Sequence, residues 1–103
     1  MPLDELKLII WQAIAAIPPG KVATYGDIAR RCGYPGHARF VGTTLKNLPK
    51  DSALPWHRVI KTNGQLAFPV GSPVFIRQKT LLEADGVTFQ RQSICLKTFR
   101  WHD

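Results

Sequence analysis

The chain is poor in cysteine, histidine and acid, and each shortage excludes something. Cys32 and Cys95 form no Cys-x-x-Cys pair, and His37, His57 and His102 fall at no metal-ligand spacing, so neither a disulfide framework nor a zinc site is expected, and no cofactor. No apolar run approaches the roughly 18 residues that a bilayer-spanning helix needs. The N-terminal segment carries Asp4, Glu5 and Lys7 where a secretory signal would have an apolar core and a cleavage site. An intracellular, reducing compartment is therefore the default expectation. Internal repeats and low-complexity tracts are also missing, which sets aside solenoids and disordered linkers. Negative charge is the scarcest quantity, with 7 Asp and Glu against 14 Lys and Arg.

The resulting net charge of +7 points to a polyanionic partner, because nucleic-acid binding draws on phosphate neutralisation by Lys and Arg. The charge is concentrated. Lys21, Arg30, Arg31, Arg39, Lys46, Lys50, Arg58 and Lys61 face only Asp27 and Asp51 between residues 21 and 61, which accounts for +6 of the total. At 103 residues, 45% hydrophobic and 20% charged, residues 1–103 are expected to form a single globular domain.

Leu3, Leu6, Ile10, Ala13 and Ile17 recur at three- and four-residue steps, so residues 3–17 read as an amphipathic helix that Pro18, Pro19 and Gly20 end. Thr24 followed by Asp27 resembles a capping box, and the short helix behind it buries Ile28, Ala29 and Cys32 before Gly33. After the Tyr34-Pro35-Gly36 turn, Val41, Leu45 and Leu48 share one face of a segment from about 37 to 48. The opposite face carries Arg39, Gly42, Thr43 and Lys46. Two short helices joined by a tight turn make a helix-turn-helix. Residues 58–60 and 65–68 read as a hairpin wing around Thr62-Asn63-Gly64. Ser72 and Pro73 start a helix that pairs Val74 with Leu81 and Phe75 with Leu82, and Gly86 stops it. Beyond Gly86 the pattern only hints at extended structure. The fold expected is mainly α with a small β-hairpin, winged and helix-turn-helix-like.

The run Pro55-Trp56-His57-Arg58-Val59-Ile60 resembles the Pro-Cys-His-Arg-Val signature of alkylguanine-DNA alkyltransferases, with Trp56 where their cysteine stands. The likeness continues upstream through residues 20–29 and 38–42 and downstream through Leu81-Leu82 to Asp85-Gly86, covering nearly the whole span from residue 3 to about 90. With the cysteine replaced, the chain is similar to the alkyltransferase-like proteins. Those proteins bind alkylated guanine in DNA, transfer nothing, and are linked to nucleotide-excision repair.

The resemblance implies roles residue by residue. Arg39 is the finger that enters the base stack in place of a flipped nucleotide, and Ala38 and Gly42 let the helix approach the minor groove closely. Tyr25 presses on the 3′ phosphate of the target, and Thr43 and Lys46 complete the DNA-binding face. Tyr25, Trp56, His57 and Val59 form the lesion pocket, and Asn47 is a structural hinge tying the helix-turn-helix to the signature run. Asp85 falls where the enzymes have a glutamate that orients the histidine through water. Each role has a plainer competitor: a phosphate contact for Arg39, close helix packing for Ala38 and Gly42, and core positions for Tyr25 and Trp56.

Chemically, an indole offers no nucleophilic lone pair, so His57 has no thiol to deprotonate. The expected function is a non-enzymatic sensor that binds O6-alkylguanine in duplex DNA, flips it, and marks it for nucleotide-excision repair proteins. The chain is expected to act as a monomer without membrane contact, in a bacterial cytoplasm near the nucleoid or in a eukaryotic nucleus. Two alternatives remain open on the sequence: an alkyltransferase with a substitute nucleophile, and a winged-helix transcription regulator.

Overall fold

A computed structural model describes residues 3–49 and 51–102. Helix α1 spans Leu3–Ala15 and buries Leu6, Ile10 and Ile14, with Ile17 buried just past its end; Ala13 is only half-buried, and the side chain of Leu3 lies outside the described residues. The helix stops two residues short of Ile17. A residue before proline is pushed out of the α region, and the end tightens through Ala16 and Ile17 amides donating to Ala13 and Ile14 carbonyls.

Strand β1, Ala23–Thr24, leads directly into α2, Tyr25–Arg31. The capping box forms as the sequence predicts: Thr24 Oγ1 accepts from the Asp27 amide and Asp27 accepts from the Thr24 amide. Helix α3, Ala38–Lys46, packs on α2 and on α1, completing the helix-turn-helix. Val41 and Thr44 are its buried residues, whereas Leu45, Leu48 and, in α2's C-cap, Cys32 are half-buried.

The 58–60/65–68 hairpin does not form. Strand β2, Val59–Ile60, instead pairs in parallel with β1, in the register Ala23 with Val59 and Thr24 with Ile60. The Asn63-Gly64 turn is real, since Gly64 N donates to Lys61 O and Lys61 N to Gln65 O. The outgoing chain then leaves: Gln65 bridges Ser93, and Ile94 N donates to Gly64 O. Gly64 has φ +82, and a Cβ there would drive into the Ile94 carbonyl, so only glycine fits this crossing. Burial is the physical reason for the pairing. Neighbouring strand residues point to opposite faces. Ala23 and Val59 thus enter the core of α1, α2 and α3, while Val22 and Ile60 enter a second core with Leu66, Phe75, Leu82, Val87 and Ile94. Covered on both faces, the pair lies inside the molecule, as parallel strands do, and not on an exposed wing.

Helix α4, Pro73–Ala84, begins as predicted, with Ser72 accepting from the Phe75 amide and Pro73 in the first turn. The small hairpin of the fold lies beyond it, between β3, Phe89–Gln90, and β4, Ser93–Ile94. Arg91 and Gln92 turn it with φ 51 and 67, the positive pair of a type I′ turn. Helix α5, Leu96–Phe99, then returns the chain to β1, where Val22 N donates to Phe99 O and Trp101 N to Val22 O. Arg31 stacks 3.5 Å over the Trp101 ring, and Arg100 bonds Asp27.

Candidate nucleic-acid interface

Pro55 sets the direction of everything after it. With φ −78 and ψ 61, and Trp56 N donating to Leu54 O at 2.8 Å, it is the centre of an inverse γ-turn. One 3-10 turn over Trp56–Arg58 follows, closed by Arg58 N donating to Pro55 O at 3.0 Å. At three residues per turn, consecutive side chains diverge by about 120°. Trp56 and His57 therefore face different ways, with ring planes 84° apart.

The rear is locked. Asp85, the C-cap of α4, accepts from Arg58 Nε at 2.8 Å and Nη2 at 3.2 Å, and from His57 Nε2 at 3.0 Å. This bond to His57 is direct, without the intervening water that the resemblance implied. Arg58 Nη1 also donates to Ile17 O, tying α1 to the same knot. The guanidinium and then the imidazole N–H hold the Asp85 carboxyl below its ordinary value. Burial pushes His57 down, against the pull of Asp85, so the imidazole is neutral near pH 7. Gln78 donates from Nε2 to the carbonyls of His57 and Val59, fixing the run to α4. Its own carbonyl oxygen is buried with no partner among the described residues.

The front is open. A cleft of about 1200 Å³ runs between α2, α3, the 55–63 segment and α4. Its lining gathers Tyr25, Ala38, Arg39, Gly42, Thr43 and Lys46 with Trp56 and Val59, so residues far apart in the chain share one surface. Burial raises the Tyr25 phenol above its ordinary value, keeping it a hydrogen-bond donor. Gly42 faces the Tyr25 ring, where an added Cβ would sit at an ordinary 3.9 Å. Packing within the protein does not require a glycine there, which favours the reading that its missing side chain matters to something outside.

Two expected site residues stand elsewhere. His57 is not among the residues lining the cleft, because it points into the Asp85 knot behind the wall. Asn47 caps α3 and donates from Nδ2 to Thr43 O; among the described residues no bond from it reaches the signature run, so its grip is on the helix end. Neither thiol faces the cleft: burial raises that of Cys32, and Cys95 is exposed beside Thr98.

Sequence reading also missed Arg77, whose guanidinium lies 5.9 Å from the Trp56 ring centroid, and Gln78 beside it. The signal was present. Val74, Arg77 and Gln78 are spaced i, i+3, i+4, and all three line the cleft. Among the described residues no group of acidic, histidine or cysteine side chains is arranged to hold a metal, and no helix is long and apolar enough to cross a membrane.

Residues 5–87 match the family model described as 6-O-methylguanine DNA methyltransferase, DNA binding domain. The chain belongs to this family. Within it, the chain is 43% identical to a DNA base-flipping protein of Vibrio parahaemolyticus, across 96% of this chain and 98% of that one. It is 42% identical to alkyltransferase-like protein 1 of Schizosaccharomyces pombe, across 91% and 87%. The crystal structure of S. pombe Atl1 with damaged DNA containing O6-carboxymethylguanine superposes with a TM-score of 0.91 at 38% identity, covering all of both chains. The helix-turn-helix, the parallel pair and the 55–60 run are therefore features of a family fold.

Proposed function

We propose that this protein binds O6-alkylguanine in duplex DNA, flips it out of the stack, and leaves the alkyl group where it is. Helix α3 enters the minor groove through its Ala38–Gly42 face, with Thr43 and Lys46 toward the backbone. That groove suits a lesion reader because it carries little sequence information. Arg39, exposed and with no hydrogen bond from its guanidinium among the described residues, takes the vacated place in the stack. Tyr25 donates to the 3′ phosphate. The extruded base rests in the cleft against Trp56 and Val59, where stacking on the indole offsets a flipping cost of a few kcal/mol.

The observation that carries this reading is that Trp56 lines the cleft and neither cysteine does; by the resemblance of the Pro55–Ile60 run, this indole stands where the alkyltransferases have their reacting cysteine. Among the described residues that line the cleft, none carries a thiol that could accept the alkyl carbon. The base-flipping name of the Vibrio relative and the damaged-DNA complex of the yeast relative support the same reading. Acting as a monomer, in the bacterial cytoplasm or the eukaryotic nucleus, the protein would mark the site for nucleotide-excision repair proteins. Incubation with excess duplex bearing O6-methylguanine, followed by intact-mass measurement, tests it. The polypeptide mass stays unchanged and the modified base is recovered whole; a polypeptide heavier by one methyl group would overturn the proposal.

A further inference from the structure

The cleft is chemically one-sided. Arg39, Lys46, Lys61 and Arg77 line it, and no Asp or Glu does among the described residues. Arg39 and Lys46 come from the face of α3 that the proposed reading sets in the groove, and Lys61 from the turn after β2. Arg77 is different. It comes from α4, its neighbour across the cleft is the indole of Trp56, and its guanidinium makes no hydrogen bond or ion pair among the described residues. At 5.9 Å from the ring centroid it sits at the outer limit of a cation–π contact, so the indole holds it loosely. Val74 and Phe68 line the cleft as well and add apolar surface to it.

We infer that the pocket prefers adducts whose chain ends in an anion, and that Arg77 sets this preference by receiving the anion beside Trp56. The inference rests on the lesion-binding reading above. An alkyl group on guanine O6 that points at the indole has its far end beside Arg77. A neutral chain gains only contact with the ring and the apolar surface. A carboxylate, ionised at neutral pH, gains in addition a charge-assisted bond to a planar donor that can stay stacked while it binds. The other three cations do not supply this discrimination, because in every complex, whatever the lesion, Arg39 is in the base stack and Lys46 and Lys61 are taken by DNA phosphates.

The test uses duplexes identical except for one base: guanine, O6-methylguanine, O6-carbamoylmethylguanine or O6-carboxymethylguanine. The last two match in size and differ in charge. The intact protein binds the carboxymethyl duplex roughly tenfold tighter than the carbamoylmethyl one at moderate salt. Arg77→Gln brings that ratio to about one and Arg77→Lys keeps part of it. Lys61→Gln weakens all four duplexes alike and leaves the ratio intact. Equal affinity of the intact protein for the two isosteres, or a ratio that survives Arg77→Gln, would overturn the inference while leaving lesion binding in place. Failure to prefer any alkylated duplex over guanine would overturn the lesion-binding reading, and the inference with it.

Discussion

Behind the Pro55–Ile60 run, His57 and Arg58 are tied to Asp85, and Arg58 also to the Ile17 carbonyl just past α1; in front, Trp56 looks into a cleft lined by four cations and, among the described residues, by no acid. The two sides share a backbone and differ in almost everything else. Polar groups at the rear are nearly all satisfied within the protein, which makes that side rigid. At the front the donors are left for a partner. The run is thus held in place by its rear contacts, and what faces the cleft can differ without disturbing them.

Cutting the rear should have the largest effect. Arg58→Met leaves the Ile17 carbonyl without its donor and Asp85 with His57 alone, and is expected to cost about 3 kcal/mol of stability, read from the denaturant midpoint. A loss below about 0.5 kcal/mol would place the rigidity elsewhere. At the front, Trp56→Ala should lower the preference for O6-methylguanine over guanine roughly thirtyfold, within the 1–3 kcal/mol that base stacking supplies, while changing stability far less than Arg58→Met. If stability collapses as well, Trp56 is a core residue and the two sides are not separable.

Arg39→Ala should weaken binding to flipped-base complexes roughly fivefold, with a smaller effect on duplex that is bound without flipping. A uniform loss across both would reduce Arg39 to a phosphate contact. The smallest effect is pH dependence of the rear. His57 titrates lower in the folded chain than its unfolded value of about 6.5. The unfolded chain therefore takes up its proton first, and stability falls as pH drops through that region. Asp85, and Asp27 held down by Arg100 and Arg30 against its burial, add a second loss as pH falls through the carboxylate range. Asp85→Asn should flatten much of that second step in a thermal-melt series.

What the sequence showed was local. The Thr24–Asp27 box, the Ser72-Pro73 start and the stripe of α1 depend on residues a few positions apart, and periodicity reads them directly. The parallel pairing of Ala23-Thr24 with Val59-Ile60 depends on two cores meeting at one strand, which no window of sequence contains. Asn63-Gly64 signalled a true turn but not the partner of its outgoing arm, and Arg91-Gln92 turns a hairpin with no glycine or asparagine to announce it. In α4 the eye follows Phe75 and Leu82; Gln78, lying between them on the same buried face, marked the bond to the signature run. His57 was expected in the pocket with Trp56 from the resemblance, and the 3-10 turn separates the two.

The central claim is that an alkylated base is recognised in front of Trp56 and kept there. Equilibrium affinity for two duplexes that differ by a single O6-methyl group tests it most directly. Markedly tighter binding of the methylated duplex, reversed by competition with more of the same, is expected; equal affinity for the two would contradict recognition of the lesion in front of Trp56.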